Sequence, residues 1–368
     1  MIAIVGAGPS GSHLAYLLAK NGFKVQVFEE HSEVGRPVSC TGLVSEDIKE
    51  IVSVPSRLIL NRIRNARIFS PSGKELKIQL AENLVLDRAR FDLWLSEKAA
   101  LAGAEYYLGT KFEGWTRAGR SFLLRMRDPK GRNSVFRADY VVGADGPLSA
   151  VAKEAGIYGR RSFYTAIQAE VPWNEKREIM FWLEQGGVSW IVPLGNGRAL
   201  AGVAFEEGAA RRFKTFCRNF GRKNLRRSSA ALIPKFNPLQ RLEKDRVFLV
   251  GDAAGQVKAT TLGGIVPGMR SAVELSKSFN SIFGYTPRYM ARVFPDLYSC
   301  LLVRRILDNC SNSELDSLVE TLGRADLVKV LNGVSRDRML SLGLKAISRE
   351  PKLVGFCKRL FVKSSQKK

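Results

Sequence analysis

The sequence predicts an α/β fold: a three-layer domain built on a parallel sheet, a second, mostly antiparallel sheet inserted into it as an α+β unit, and a helical C-terminal region. Three observations predict it. A short apolar run at 2–5 leads through a glycine-rich turn and a helical stretch into a second apolar run at 25–28. Two further apolar runs, 139–142 and 246–250, each lead into an acid–glycine turn. Short runs separated by glycines fill 163–205, the pattern of a meandering sheet rather than of helices.

A chain of 368 residues has room for two to three domains at about 100–200 residues each. With 45% hydrophobic and 25% charged residues its balance is that of an ordinary globular protein, which excludes whole-chain disorder and collagen-like repeats. No apolar run approaches the ~18–20 residues of a spanning helix. The five cysteines are scattered without a C-x-x-C pair, so neither a zinc site nor a disulfide framework is expected. The two histidines, His13 and His31, leave little scope for histidine-based metal or triad chemistry and read as incidental neighbours of the glycine turn. The chain enters a strand at once, so no signal peptide and a reducing, cytoplasmic setting are the simplest expectations.

Each element then has its reason. Ile2-Ala3-Ile4-Val5 is a buried strand, Gly6-Ala7-Gly8-Pro9-Ser10-Gly11 a turn, His13 to Asn21 a helix stopped by Gly22, and Val25–Phe28 a strand ending at Glu29. This is the full Rossmann-type dinucleotide-binding context. Gly6 permits the tight turn, Gly8 lets backbone approach a pyrophosphate, and Gly11 lets the helix pack on the sheet. The helix start offers N–H donors to phosphate, and Glu29 is placed to accept from a ribose hydroxyl. Asp139–Gly146 is a strand running into Gly-Ala-Asp-Gly. Arg246–Gly255 is another, lifting Asp252 to the carboxyl edge of the sheet, where an aspartate can bond a ribityl or ribose hydroxyl. Gly263-Gly264 lets the next helix start close to a flavin. In this order the strands specify FAD.

The chain resembles the aromatic-hydroxylase superfamily in GAGPSG with Glu29, in GADG and in LVGDAAG. Within it, three segments are similar to the geranylgeranyl reductases, including the archaeal digeranylgeranylglycerophospholipid reductases: Gly35–Val44 (GRPVSCTGLV), Leu86–Asp92 (LDRARFD) and Gly251–Ile265 (GDAAGQVKATTLGGI). The resemblance covers about residues 1–285. It implies FAD contacts at Ser10, Glu29, Arg36, Cys40, Thr41, Leu43, Arg88, Phe112, Asp252, Gly264 and Ile265, alongside Gly6, Gly8 and Gly11, with Cys40 beside the flavin as candidate catalytic residue. It also implies reduction of geranylgeranyl C=C bonds on an isoprenoid lipid, with electrons from an external donor such as NAD(P)H or ferredoxin. No second glycine motif marks a nicotinamide site.

On the substrate side, Ala66–Phe69 and Leu76–Ile78 flank a Pro71-Ser72-Gly73 turn, and Gly187–Pro193 is a strand. The family's Tyr-x-Trp-x-Phe-Pro pattern keeps Trp190 and Pro193 here, as candidate pocket walls, but carries Val188 and Val192 at its flanking aromatic positions. The alternative is a flavin-dependent monooxygenase or halogenase on the same scaffold, and Val188 stands where halogenases place a tryptophan. The expected division is an FAD-binding domain from 1–50, 81–158 and 240–285, a substrate sheet from 51–80 and 159–239, and a helical region from 286–368.

The chain carries 58 Lys+Arg against 35 Asp+Glu, a formal charge of +23, which attracts phosphate in some form. Arg211 to Arg227 form a stretch without an acid, read as a basic helix with Phe213, Phe216 and Phe220 as its apolar stripe, and Lys352 to Lys368 form a basic tail; the alternative is a solvated face whose aromatics pack on the core. No nucleic-acid motif accompanies either, so an anionic membrane surface, met peripherally, is the expected partner.

Overall fold

A computed structural model of the chain describes residues 1–175, 177–220, 225–333, 335 and 339–360. Along it run β1 (Ile2–Val5), α1 (Pro9–Lys20), β2 (Val25–Phe28), β3 (Leu43–Ser45), β4 (Ile59–Phe69), β5 (Glu75–Leu86), α2 (Arg88–Leu101), β6 (Glu105–Tyr107), β7 (Lys111–Ala118), β8 (Ser121–Arg127), β9 (Asn133–Ala138), β10 (Tyr140–Gly143) and α3 (Ala150–Glu154). There follow β11 (Phe163–Pro172), β12 (Glu178–Glu184), β13 (Gly187–Gly195), β14 (Arg198–Phe205), α4 (Ala209–Phe216), β15 (Arg226–Pro234), β16 (Glu243–Lys244), β17 (Val247–Leu249) and α5 (Ile265–Ser278). The chain ends in α6 (Tyr285–Arg292), α7 (Phe294–Asn309), α8 (Asn312–Leu322), α9 (Ala325–Leu331), α10 (Met339–Arg349) and α11 (Val354–Cys357).

The strands read as apolar runs build a six-stranded sheet in the order β16-β17-β10-β1-β2-β6, parallel except at β16. Ile2, Ala3, Ile4, Val25, Val27, Val141 and Val142 are buried in it, as strands covered on both faces require. α1 packs with α2 and α5 on one side. On the other lies the antiparallel β7-β8-β9 sheet, whose Phe136 meets the rings of Phe28 and Tyr107. These are the three layers.

The second sheet has eight strands in the order β15-β11-β14-β13-β12-β4-β5-β3, antiparallel except where β12 meets β4. Its two faces differ, because side chains alternate along each strand. One face carries Val188, Trp190, Val192, Ala166 and Ala204, and the other Ile191, Val171 and Ala201, over which α4 packs.

Two readings need correction. α1 begins at Pro9, four residues before the expected His13: proline suits the first helical turn, where its missing N–H forfeits nothing. The basic stretch is not one helix. α4 stops at Phe216, a short 3-10 turn follows, and Arg226 and Arg227 lie in β15, which pairs with the otherwise open edge of β11. Phe213, Phe216 and Phe220 pack inward against the sheet. Arg212 and Arg227 are paired with Glu184 and Glu170, and among the described residues of this stretch no apolar stripe faces solvent. Arg222 and Lys223, like Phe361, Lys363, Lys367 and Lys368 of the tail, lie outside the described residues.

Candidate active site

The carboxyl ends of β1, β10 and β17 bring three turns together. Gly6 has φ +101, and a Cβ on it would lie 2.3 Å from the carbonyl oxygen of Ala144. A Cβ on Gly11 would lie 2.1 Å from the carbonyl oxygen of Gly6. These two glycines let the turns pack on one another. A Cβ on Gly8 would meet nothing within 4 Å, because Gly8 opens into a cavity. There α1 begins, and the first N–H groups of a helix have no partner within it. Ser10 sits at a crossing, its Oγ lying 2.7 and 2.4 Å from where a Cβ on Gly251 and on Gly268 would stand.

Glu29 closes this end. Its Oε2 accepts from the backbone N–H of Ala7 at 2.9 Å, and its Oε1 from that of His31 at 3.0 Å, with His31 Nδ1 at 2.6 Å. The glycine turn is thereby tied to the end of β2. His13 is buried in α1; burial, aided by Lys98, lowers its pKa to about 4, so it stays neutral.

Cys40, Thr41 and Leu43 line the cavity on the segment leading into β3. The Cys40 thiol accepts from the N–H of Gly42 and the Thr41 hydroxyl from that of Leu43, both at 3.4 Å. Arg88, at the start of α2, donates to both oxygens of Asp92 at 3.0 and 2.7 Å. Burial works against its charge, but Asp92 and Cys40 more than offset this, and its pKa is raised. Arg36 also lines the cavity; it is exposed and pairs with Glu33 at 3.2 Å. Phe112 also lines the cavity, buried against Trp115.

Asp252 is half-buried at the start of the third turn, where a Cβ on Gly264 would lie 2.7 Å from its Oδ1. Gly264 caps α5 and Ile265 begins it. Burial pushes the Asp252 carboxyl up to about 6, with Arg88 and Arg161 pulling the other way. Its folded pKa thus exceeds the ordinary value near 4. The stabilisation this group contributes is full below pH 4 and is lost as pH rises through 6. In the flavin-free protein, Asp252→Asn should therefore gain stability relative to the parent between pH 4 and 7, by ~3 kcal/mol. Urea midpoints of both at pH 4.5 and 7 check this; an equal difference at the two values contradicts it.

Sequence reading missed Arg161. It donates to the carbonyl oxygens of Tyr158, Pro147 and Ala253, pinning the GADG and GDAA turns to each other. Asp145 of GADG is spent on structure, accepting from Ser149 Oγ at 2.6 Å and from the N–H of Val151 at 3.0 Å. Leu262, held at φ +56, lines the cavity between Lys258 and Gly264.

All of this forms one end of a single cavity of about 1160 Å³, above the roughly 300–1,000 Å³ usual for a small-molecule pocket. Its other end runs beneath the second sheet. Ala66, Ile68, Ile78, Phe181, Val188 and Val192 form the roof, and Val303, Leu307, Val319, Leu322, Leu331 and Leu342 from α7 to α10 form the far wall. The C-terminal helices, for which the sequence offered no role beyond covering the sheet or touching a membrane, supply this wall. Trp190 lines the cavity. Pro193 does not: three residues on, strand alternation puts it on the other face, and its carbonyl oxygen accepts from Asn61 Nδ2 at 3.0 Å.

The open backbone at Gly8, the two helix starts and the half-buried Asp252 fit a dinucleotide, and the apolar end leaves room for a second ligand. The chain matches the FAD binding domain family over residues 63–283 and the NAD(P)-binding Rossmann-like domain over residues 4–50. It belongs to the FAD binding domain family, and FAD is its cofactor. Among curated relatives, it is 29% identical to a digeranylgeranylglycerophospholipid reductase of Methanocaldococcus jannaschii, covering 98% of this chain and 97% of that protein. Among solved structures, a geranylgeranyl bacteriochlorophyll reductase-like protein of Thermoplasma acidophilum superposes with a TM-score of 0.84 at 22% identity over 98% of both chains. A flavin-dependent halogenase superposes with a TM-score of 0.71 at 14% identity over 96% of this chain and 78% of that one. These two structural likenesses speak for the fold alone.

Proposed function

We propose that the protein is an FAD-dependent reductase of C=C bonds in geranylgeranyl chains, acting on membrane ether-phospholipid precursors. The observation that carries the reading is the continuity of the cavity: the apolar tunnel beneath the sheet opens into the end framed by Gly8, Cys40 and Asp252. The names of the curated relatives point the same way.

In this reading FAD lies with its pyrophosphate at Gly8, Ser10 and Gly11, a ribose at Glu29, the adenine near Phe112, and its ribityl and ring portion at Cys40, Thr41, Leu43, Arg88, Asp252, Gly264 and Ile265. Reduced FAD supplies a hydride equivalent to one alkene carbon. The chain's own work is to exclude water and hold the alkene still. Ile68, Phe181 and Val192 of the roof and Leu307 and Leu322 of the far wall line its path, with no charge among them. The second carbon takes a proton, and we place that proton on Cys40 Sγ, which lines the cavity next to the Arg88 guanidinium. Steady-state turnover with dithionite as reductant tests the reading: a geranylgeranylated phospholipid should gain two mass units per bond reduced. NADPH consumption that needs oxygen and yields a hydroxylated or halogenated product would instead mark a monooxygenase or halogenase.

Among the described residues no helix is long and apolar enough to cross a membrane. We propose peripheral binding through the C-terminal segment. Lys345, Arg349, Lys352 and Lys358 are exposed there beside Leu344 and Val354, which are 62% and 50% exposed. The one acid, Glu350, is buried and paired with Arg324. The same segment supplies Leu342 to the tunnel wall. Each such cation contributes about 1 kcal/mol near an anionic bilayer. Pelleting with phosphatidylserine vesicles should be strong at 0.05 M salt and lost by ~0.5 M. Arg349→Glu with Lys352→Glu should weaken it at least about tenfold. Pelleting indifferent to both salt and these substitutions contradicts the assignment.

A further inference from the structure

We propose that His31 fills one oxygen of Glu29, so that the carboxylate accepts a single hydroxyl of the cofactor's adenosine ribose. The backbone around the pair is fixed by three hydrogen bonds. Glu29 N–H donates to the carbonyl oxygen of Tyr107 at 3.0 Å, Thr110 N–H to that of Glu29 at 2.7 Å, and Gly109 N–H to that of His31 at 2.9 Å. The end of β2 is thereby tied to the turn between β6 and β7.

Hydrogen-bonding capacity decides what is left for a ligand. A carboxylate offers about four lone pairs, two on each oxygen, and no hydrogen. Oε2 of Glu29 accepts once, from the N–H of Ala7 at 2.9 Å. Oε1 accepts twice, from the N–H of His31 at 3.0 Å and from its ring Nδ1 at 2.6 Å. Two acceptors do not approach that closely, so Nδ1 carries a hydrogen and donates it, whichever charge the ring has. Among the described residues no other donor reaches this carboxylate. Oε1 is therefore full, and Oε2 has one lone pair left. The Glu29 side chain keeps 13% of its surface exposed and lines the cavity beside His31.

A ribose presents two neighbouring hydroxyls, and an acid with both oxygens open takes them together. Here one is taken, and the other must find its partner elsewhere or in water. His31 thus determines how many hydroxyls are read at this end of the cofactor, although in the sequence it passes for an incidental neighbour of the glycine turn. The placement of a ribose at Glu29 rests on the FAD reading proposed above; the filled oxygen does not.

The experiment titrates the full chain, stripped of flavin, with FAD and with its 2′-deoxyadenosine and 3′-deoxyadenosine analogues, and reads flavin fluorescence. In the parent, one analogue should bind about tenfold or more weaker than FAD and the other within about threefold of it. His31→Ala frees a lone pair on Oε1, so both analogues should then bind about tenfold or more weaker than FAD. His31→Asn, whose side-chain N–H stands near the position of Nδ1, should keep the parental pattern. Comparable losses with both analogues in the parent mean that His31 gives way to the second hydroxyl; they overturn the proposal and leave the ribose at Glu29. A His31→Ala protein with parental thermal stability and the parental pattern also overturns it. A parent that binds all three ligands alike shows that the ribose is not at Glu29, and the placement falls together with this proposal. The comparison within the parent needs no variant, so it stays decisive if a substitution disturbs folding.

Discussion

Gly8→Val should leave the protein folded and colourless. Gly8 has φ −67 and ψ 179, a conformation that valine adopts readily, and its missing Cβ faces open cavity. The isopropyl group would occupy the space reserved for phosphate oxygens at the start of α1, blocking their approach to the backbone N–H groups there. Flavin affinity should fall at least ~100-fold, while the melting temperature of the flavin-free chain stays close to the parent's. Gly11→Val makes the contrast. Its Cβ would stand 2.1 Å from the carbonyl oxygen of Gly6, so the turn itself must give way and folding should fail. Flavin content and thermal melts of the two variants check this together. A Gly8→Val protein that purifies with full flavin would contradict the placement of the pyrophosphate.

Ala166→Phe should keep the flavin and abolish reduction of the lipid. Ala166 lies in the tunnel roof, opposite Ala204 on β14 and Ala231 on β15, where small side chains give the cavity its depth. A phenyl ring there projects into the tunnel, from a strand that is not among the turns that hold the dinucleotide. Displacing a reacting chain by even an ångström costs about 100-fold in rate, and blocking its path costs at least that. Full flavin absorbance with kcat/KM lowered by about 100-fold or more is the expected result. Turnover at the parental rate would mean that the chain does not run beneath this part of the roof.

The parts of this molecule legible in its sequence are those where backbone chemistry leaves few choices. Gly6, Gly11 and Gly251 stand where a Cβ cannot fit, and the two strands before these turns are apolar because both faces of their sheet are covered. FAD was legible for that reason. The tunnel was far less so. Leu318 and Leu322 have the i, i+4 spacing of any packed helix, and nothing local distinguishes a leucine that faces a cavity from one that faces a core. Gln168 and Trp190 fall in one row only through the pairing of β11, β14 and β13, a register that no short window of sequence specifies. The error at Pro193 was avoidable, since a period of two separates it from Trp190 once both are placed on one strand. The basic stretch misled because charge says what a segment attracts and not which secondary structure it adopts; the free edge of β11 decided that.

The most direct test of the central claim is a single turnover without oxygen. The purified flavoprotein is photoreduced, mixed with a geranylgeranylated phospholipid, and followed by flavin absorbance alongside the mass of the lipid. The reductase reading predicts reoxidation of one flavin for each gain of two mass units, in the absence of any other acceptor. Reduced flavin that ignores the lipid but reacts at once when oxygen is admitted would contradict it and point to a monooxygenase.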